Sequence, residues 1–156
     1  MLISHSSDPV AAGGLRAAIK TGDQAQILKA AQAVLAEDAA FIMAHIVLSN
    51  LQNKAGHTSA AEMHDIFLKG MLDSIVAHGD GRSFKTAFRV YFVREEYDLM
   101  RVIGVKVQGQ SLTHEQRQDF DILHVINDKG KERDFYFDIT ELFAEEARRF
   151  RLPGAE

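Results

Sequence analysis

The chain contains no cysteine, no tryptophan and only two prolines in 156 residues. Without cysteine there can be no disulfide, no thiolate metal ligand and no cysteine nucleophile. Nowhere does an apolar run approach the ~20 residues that a membrane-spanning helix requires. The first residues, MLISHSSDPVAAGG, offer neither a basic leader nor an apolar stretch of signal length, so a cytoplasmic protein without a membrane partner is expected. An excess of base is also missing: 18 Lys and Arg face 22 Asp and Glu, for a net charge of −4. Phosphate backbones are held by clustered cations, so nucleic acid is not an expected partner.

What is present is the composition of a folded domain, 46% apolar and 26% charged. At this length one domain over 1–156 is expected, with a helical half over 10–78 and an α/β half over 79–151. In the helical half, Asp8-Pro9 reads as the cap and first position of a helix that runs to Lys20. Asp23 caps a second helix, with Ile27, Leu28, Ala31, Val34 and Leu35 on one face. Asp38 starts a third, with Phe41, Ile42, His45, Leu48 and Leu51 inward. Ser59 and Glu62 form a capping-box pattern for a fourth, whose inward face is expected to carry Met63, Ile66, Phe67, Met71, Leu72 and Ile75. The breaks at Gly22 and Gly56 are 34 residues apart, the tetratricopeptide period, so tetratricopeptide-like hairpins are expected here, capped by the second half.

The segment from His78 to Tyr97 joins the halves. Gly79 is expected to end the fourth helix in a left-handed conformation, and 86–93 (TAFRVYFV) to form a central strand, being apolar on both faces apart from Arg89. Glu95–Ile103 reads as a short helix with Glu95, Glu96 and Asp98 at its positive end, terminated by Gly104. Val105 and Val107 suggest a short strand, followed by a polar loop, QGQSLTHEQRQ. Phe120, Ile122, His124 and Ile126 alternate along the next strand, and Phe135, Phe137 and Ile139 along the last, joined by an Asn127–Gly130 turn. Asp138 and Glu141 resemble a capping box for a final helix, with Leu142, Phe143, Ala147 and Phe150 inward and Arg148, Arg149 and Arg151 at its negative end. The expected class is α+β: helical hairpins, then a small, mostly antiparallel sheet and a C-terminal helix.

The segments GDGRSFKTAF, EEYDLMRVIG and YFDI resemble a family of bacterial proteins described as a domain of unknown function. The Ala44-His45 pair and the helix AAEMHDIFLKGMLDSI are similar to it as well. The resemblance covers roughly residues 20–140. It implies the domain layout and no particular chemistry.

For chemistry, the loop from His78 to Ser83 could turn backbone amides toward an anion, aided by Arg82 and Lys85, although neither a Walker nor a dinucleotide spacing is present. A helix cap and tight turn explain the same glycines. Glu95 and Glu96 point about 100° apart on a helix and cannot converge on one atom. His45 and His64 fall on neighbouring helices and could meet, but no dense metal-ligand motif accompanies them. Ser111, Ser83 and Ser74 lack a nucleophile elbow, and His124 reads as a strand histidine. The expectation is a non-enzymatic module that binds another protein, as an adaptor, a secretion-associated protein or an inhibitor, with a homodimer also allowed. The alternative is a small-ligand or metal-binding protein, hydrolytic in its strongest form, using Asp80, Arg82, Glu96, His64 and His45 where the halves join. No metal, cofactor or catalytic residue is expected.

Overall fold

The structure, a computed structural model, describes residues 9–151, and within the last helix the side chains of 140–144 and 148 only. The chain divides into two compact units, Met1–Asp73 and Ser74–Glu156.

The helical unit contains α1 (Ala12–Thr21), α2 (Gln24–Glu37), α3 (Ile42–Lys54) and most of α4 (Thr58–Val76). Asp8 lies outside the described residues; α1 begins three residues after Pro9, whose carbonyl accepts from the Ala12 amide at 2.8 Å. Asp23 caps α2 as expected, its Oδ1 accepting from the amides of Ala25 at 2.9 Å and Gln26 at 3.1 Å. Asp38 uses its carboxylate on the Ala40 amide instead, and α3 starts after Phe41 with no side-chain cap. The core joins Ala12 and Leu15 of α1 to Ala31 and Val34 of α2 and to Phe41, Ala44 and Leu48.

On α4 the expected face holds only in the second half. Ile75 is buried and Met71 and Leu72 are half-buried as expected, but Met63, Ile66 and Phe67 are exposed while Ala61 and His64 are buried, so in the first half the inward stripe is rotated from the one that apolarity suggests. Apolar residues lie on both sides of this helix, and hydrophobic periodicity alone does not say which side is covered. The helix starts at Thr58, which places Ser59 inside its first turn rather than at its cap.

The second unit is built on a four-stranded sheet of order β1-β4-β3-β2, from β1 (Phe88–Arg89), β2 (Lys106–Glu115), β3 (Gln118–Ile126) and β4 (Glu132–Asp138). Helix α5 (Val93–Val102) lies between β1 and β2, and α6 (Thr140–Arg151) follows β4. The sheet is antiparallel except for the β1–β4 pair. Four expectations are corrected here.

The apolar run 86–93 is not a central strand: after a 3₁₀ turn it supplies only a two-residue edge strand. Its apolar residues serve separate ends, with Ala87, Phe88 and Val90 buried and Tyr91 and Phe92 exposed. The polar stretch after Val107 is not a loop. It is the body of β2, paired with β3 through a tight turn in which Gln116 and Arg117 both take positive φ, +49° and +67°. As an edge strand with mostly exposed side chains, it has no apolar alternation to read. On β3 the better-buried set is Asp121, Leu123 and Val125, with Phe120, whereas Ile122, His124 and Ile126 are only partly covered.

Gly79 is not the left-handed residue. Gly81 is, at φ +69°, and its amide donates to the Thr86 carbonyl at 2.7 Å while its own carbonyl accepts from Tyr136 of β4 at 2.9 Å. Phe135, Phe137 and Ile139 are buried, and Gly104 and Gly130 end α5 and the β3–β4 turn with positive φ, as expected. Leu142 is buried at the start of α6. The side chains of Ala147, Arg149, Phe150 and Arg151 lie outside the described residues.

Candidate functional site

Three clusters of polar side chains follow from these elements. The first joins two of the expected residues. His45 on α3 and His64 on α4 are both buried, and their Nδ1 atoms lie 3.0 Å apart. His45 Nε2 is 2.8 Å from the Ala39 carbonyl, which can only accept, so Nε2 carries the proton and the neutral His45 Nδ1 is a lone pair. His64 must therefore donate from Nδ1. Phe67 stacks on the His45 ring at 5.3 Å between centroids.

Burial lowers the His64 pKa first, and His45 lowers it further, against an opposing pull from Asp65. Because the folded protein prefers neutral His64, the unfolded chain binds a proton at higher pH than the native one. Stability from this group is full above the ordinary value of 6.5 and is lost as pH falls through it. The urea midpoint is expected to drop between pH 7.5 and 5.5, and the His64→Gln protein to show a shallower drop. Equal slopes in the two proteins would refute the assignment.

Asp80 and Arg82 form a local turn. The Asp80 carboxylate accepts from the Arg82 amide at 3.1 Å and faces its guanidinium at 3.5 Å. Its pKa is held below the ordinary value, first by the Thr86 hydroxyl and then by that amide. The Gly79 and Gly81 amides donate to Val76 and Thr86, so these three donors are already engaged within the loop.

Glu96 is where the sequence reading fell shortest. It lies at the start of α5 and is completely buried, with neither carboxylate oxygen meeting a hydrogen-bond donor among the described residues. Its neighbour is Asp121 of β3, also buried, one of whose oxygens accepts from the Gln110 amide while the other meets no donor. Tyr97 donates to the Gln110 carbonyl oxygen at 2.9 Å, extending the chain of contacts. Two ionised carboxylates can only accept, so three orphaned oxygens remain unless a proton sits between the acids.

Burial raises the Glu96 carboxyl well above its ordinary value, and the Asp121 charge raises it further. Asp121 is also raised by burial, but hydrogen bonds from Glu96, Gln110 and the Ile122 amide oppose this. The proton therefore belongs on Glu96, which donates to an Asp121 carboxylate. Glu96, which by sequence complements a helix dipole, is thus half of a shared-proton pair with Asp121.

The third cluster joins Ser111 and His124, which the sequence presents only separately, to Asp134, which it does not single out. On the opposite side of β3 from Asp121, Ser111 Oγ lies 2.6 Å from His124 Nε2, and His124 Nδ1 lies 2.7 Å from Asp134 Oδ1. The three residues come from β2, β3 and β4, aligned by register, with His124 facing Asp134 and Gly109 directly and Ser111 two pairs along, on the same face. The missing signal was the Gln116-Arg117 turn: once it is recognised, the pairing of β2 with β3 follows. Among the described residues, no group of three or more His, Asp or Glu side chains is placed to hold a metal ion. Nor is any helix among them long and apolar enough to cross a membrane.

These features define an α+β protein in which a helical unit precedes an open four-stranded sheet bearing a buried acid pair. The chain belongs to the family described as a domain of unknown function (DUF4919), whose model matches residues 3–148. No curated protein and no solved structure matches it.

Proposed function

We propose that the protein is a protein-interaction module whose tetratricopeptide-like helical unit receives an amphipathic helix of a partner. The observation that carries this reading is the exposed ridge on α4: Met63 at 52%, Ile66 at 67% and Phe67 at 53% exposure. Residues at i, i+3 and i+4 make one continuous helical stripe, the spacing with which a helix docks on another. Glu62 and Asp73 flank the ridge on one side, so charge complementarity favours a partner helix with basic residues beside its apolar face. Asp73 also holds Lys69, leaving that edge acidic overall. A shallow groove of about 440 Å³ between α1 and α2, lined by Gly14, Ala17, Ala18, Ala30 and Ala33, offers a second apolar contact surface.

A photo-crosslinking residue at position 66, used in the native cell, tests the reading. Cross-links to one heterologous protein, through a basic amphipathic helix, are expected. Ile66→Glu should then weaken binding of that purified helix by at least about tenfold, since burying one such side chain contributes roughly 2 kcal/mol. Cross-links to a second copy of the chain, or none above background, would overturn the proposal.

A further inference from the structure

We infer that Ser111, His124 and Asp134 form a nucleophilic site on the open face of the sheet that cleaves small activated esters through an acyl-serine. This activity would reside in the second unit and does not depend on partner binding by the helices.

The argument starts from proton placement. A carboxylate only accepts, so the 2.7 Å contact with Asp134 puts the His124 proton on Nδ1. Nε2 is then a lone pair, and the 2.6 Å contact makes Ser111 Oγ–H the donor to it. Serine on Nε2 and aspartate on Nδ1 is the order in which a hydroxyl is activated and the resulting imidazolium is stabilised. Oγ remains accessible: Ser111 is exposed, and His124 and Asp134 are about half exposed. Opposite His124, β2 has Gly109, and a Cβ there would come within 3.5 Å of the imidazole Cδ2. Glycine at that position leaves one side of the ring open for an acyl group.

In the reaction, Ser111 Oγ bonds to the ester carbonyl carbon as its proton passes to His124 Nε2, the imidazolium facing the Asp134 carboxylate. The tetrahedral adduct collapses, the bond to the leaving oxygen breaks, and that oxygen takes the proton from Nε2. Water then attacks the acyl carbon, giving a proton to Nε2, and the carboxylic acid departs as Oγ recovers it. No redox partner or cofactor is required. The amides of β3 lie between two ladders, and the alternate amides of the edge strand β2 that do not pair with β3 point outward in the plane of the sheet rather than over the face that carries Ser111, so the developing oxyanion is stabilised by solvent. That restricts the substrate to esters with weakly basic leaving groups, such as aryl esters, and excludes peptide amides.

The test uses the full chain with p-nitrophenyl acetate at neutral pH. Hydrolysis above the buffer rate is expected, with at least about a 100-fold loss in Ser111→Ala and His124→Gln, the span a positioned base and nucleophile contribute. Asp134→Asn should fall between these and the unaltered protein, because an amide reverses the preferred imidazole tautomer. A fluorophosphonate should label Ser111, mapped by peptide mass spectrometry, and the label should vanish in His124→Gln. All three side chains are at the surface, so matching circular dichroism and thermal melts are expected for every variant. An unaltered-protein rate within about twofold of the Ser111→Ala rate, or a label that maps elsewhere, would overturn the inference.

Discussion

Replacing Glu96 with Gln should raise the thermal midpoint at pH 8 by at least about 3 °C, the shift that roughly 1 kcal/mol makes in a domain of this size. A buried acid normally costs stability when it loses a partner, but here the isosteric amide supplies permanently what the acid supplies only when protonated. Its N–H donates to Asp121 just as the Glu96 proton does.

The pH dependence follows from the direction of the shift. Glu96 is raised well above 4.5 in the fold, so the native state keeps its proton at pH values where the unfolded chain has released it. Stability from this group is complete below 4.5 and declines as pH rises toward the folded value. The advantage of Glu96→Gln is therefore small at pH 4.5 and grows with pH. Asp121→Asn should gain less, because Asp121 in its ionised form accepts from Gln110 and the Ile122 amide. Thermal melts of the three proteins from pH 4.5 to 8 decide the matter. A Glu96→Gln protein less stable than the unaltered one at pH 8 would show that both acids are ionised and otherwise compensated.

The helices were legible because each carries an apolar stripe and a break, and Asp23, Gly22 and Gly104 behave as their residue types prescribe. What failed has physical causes. Helix α4 is apolar on two sides, and burial went to Ala61 and His64 rather than to the bulkier Met63 and Ile66. Strand β2 is an edge strand whose turn contains no glycine, so neither the alternation nor the turn announces it. The family resemblance rests on segments such as GDGRSFKTAF and identified the layout without showing what those residues do.

Both polar constellations of the sheet are products of register. Asp121 and His124 lie on opposite faces of one strand, and each acquires its partners from other elements. Motif spacing along the chain carries no trace of such pairs. His45 and His64 were the exception, because neighbouring antiparallel helices bring residues together in a way that spacing does anticipate.

Gly79 shows how strongly a reading by residue type alone can misplace a requirement. Its conformation is not left-handed, and a side chain would be tolerated on conformational grounds. Space forbids it. A Cβ at residue 79 would press into the Thr86 backbone, within 2.8 Å of its Cα and closer still to its carbonyl. That carbonyl cannot retreat freely, since it accepts from Gly81, and Gly81 in turn is tied through its own carbonyl to Tyr136 of β4. The same glycine lies against the Phe88 ring, so the whole turn is clamped between the edge strand and its neighbour.

Gly79→Ala should therefore cost about 3 kcal/mol or more, the range for backbone changes that the surroundings cannot absorb. Gly70→Ala supplies the contrast. Gly70 lies within α4, where an added Cβ meets nothing within 4 Å, and the substitution should stabilise by about 1 kcal/mol through helix propensity. Urea unfolding of both variants, followed by far-ultraviolet circular dichroism, should displace the midpoint in opposite directions. If Gly79→Ala unfolded within about 1 kcal/mol of the unaltered protein, the loop would have to yield by moving Thr86, and the Gly81–Tyr136 tie could not be the fixed joint on which the edge strand is hung.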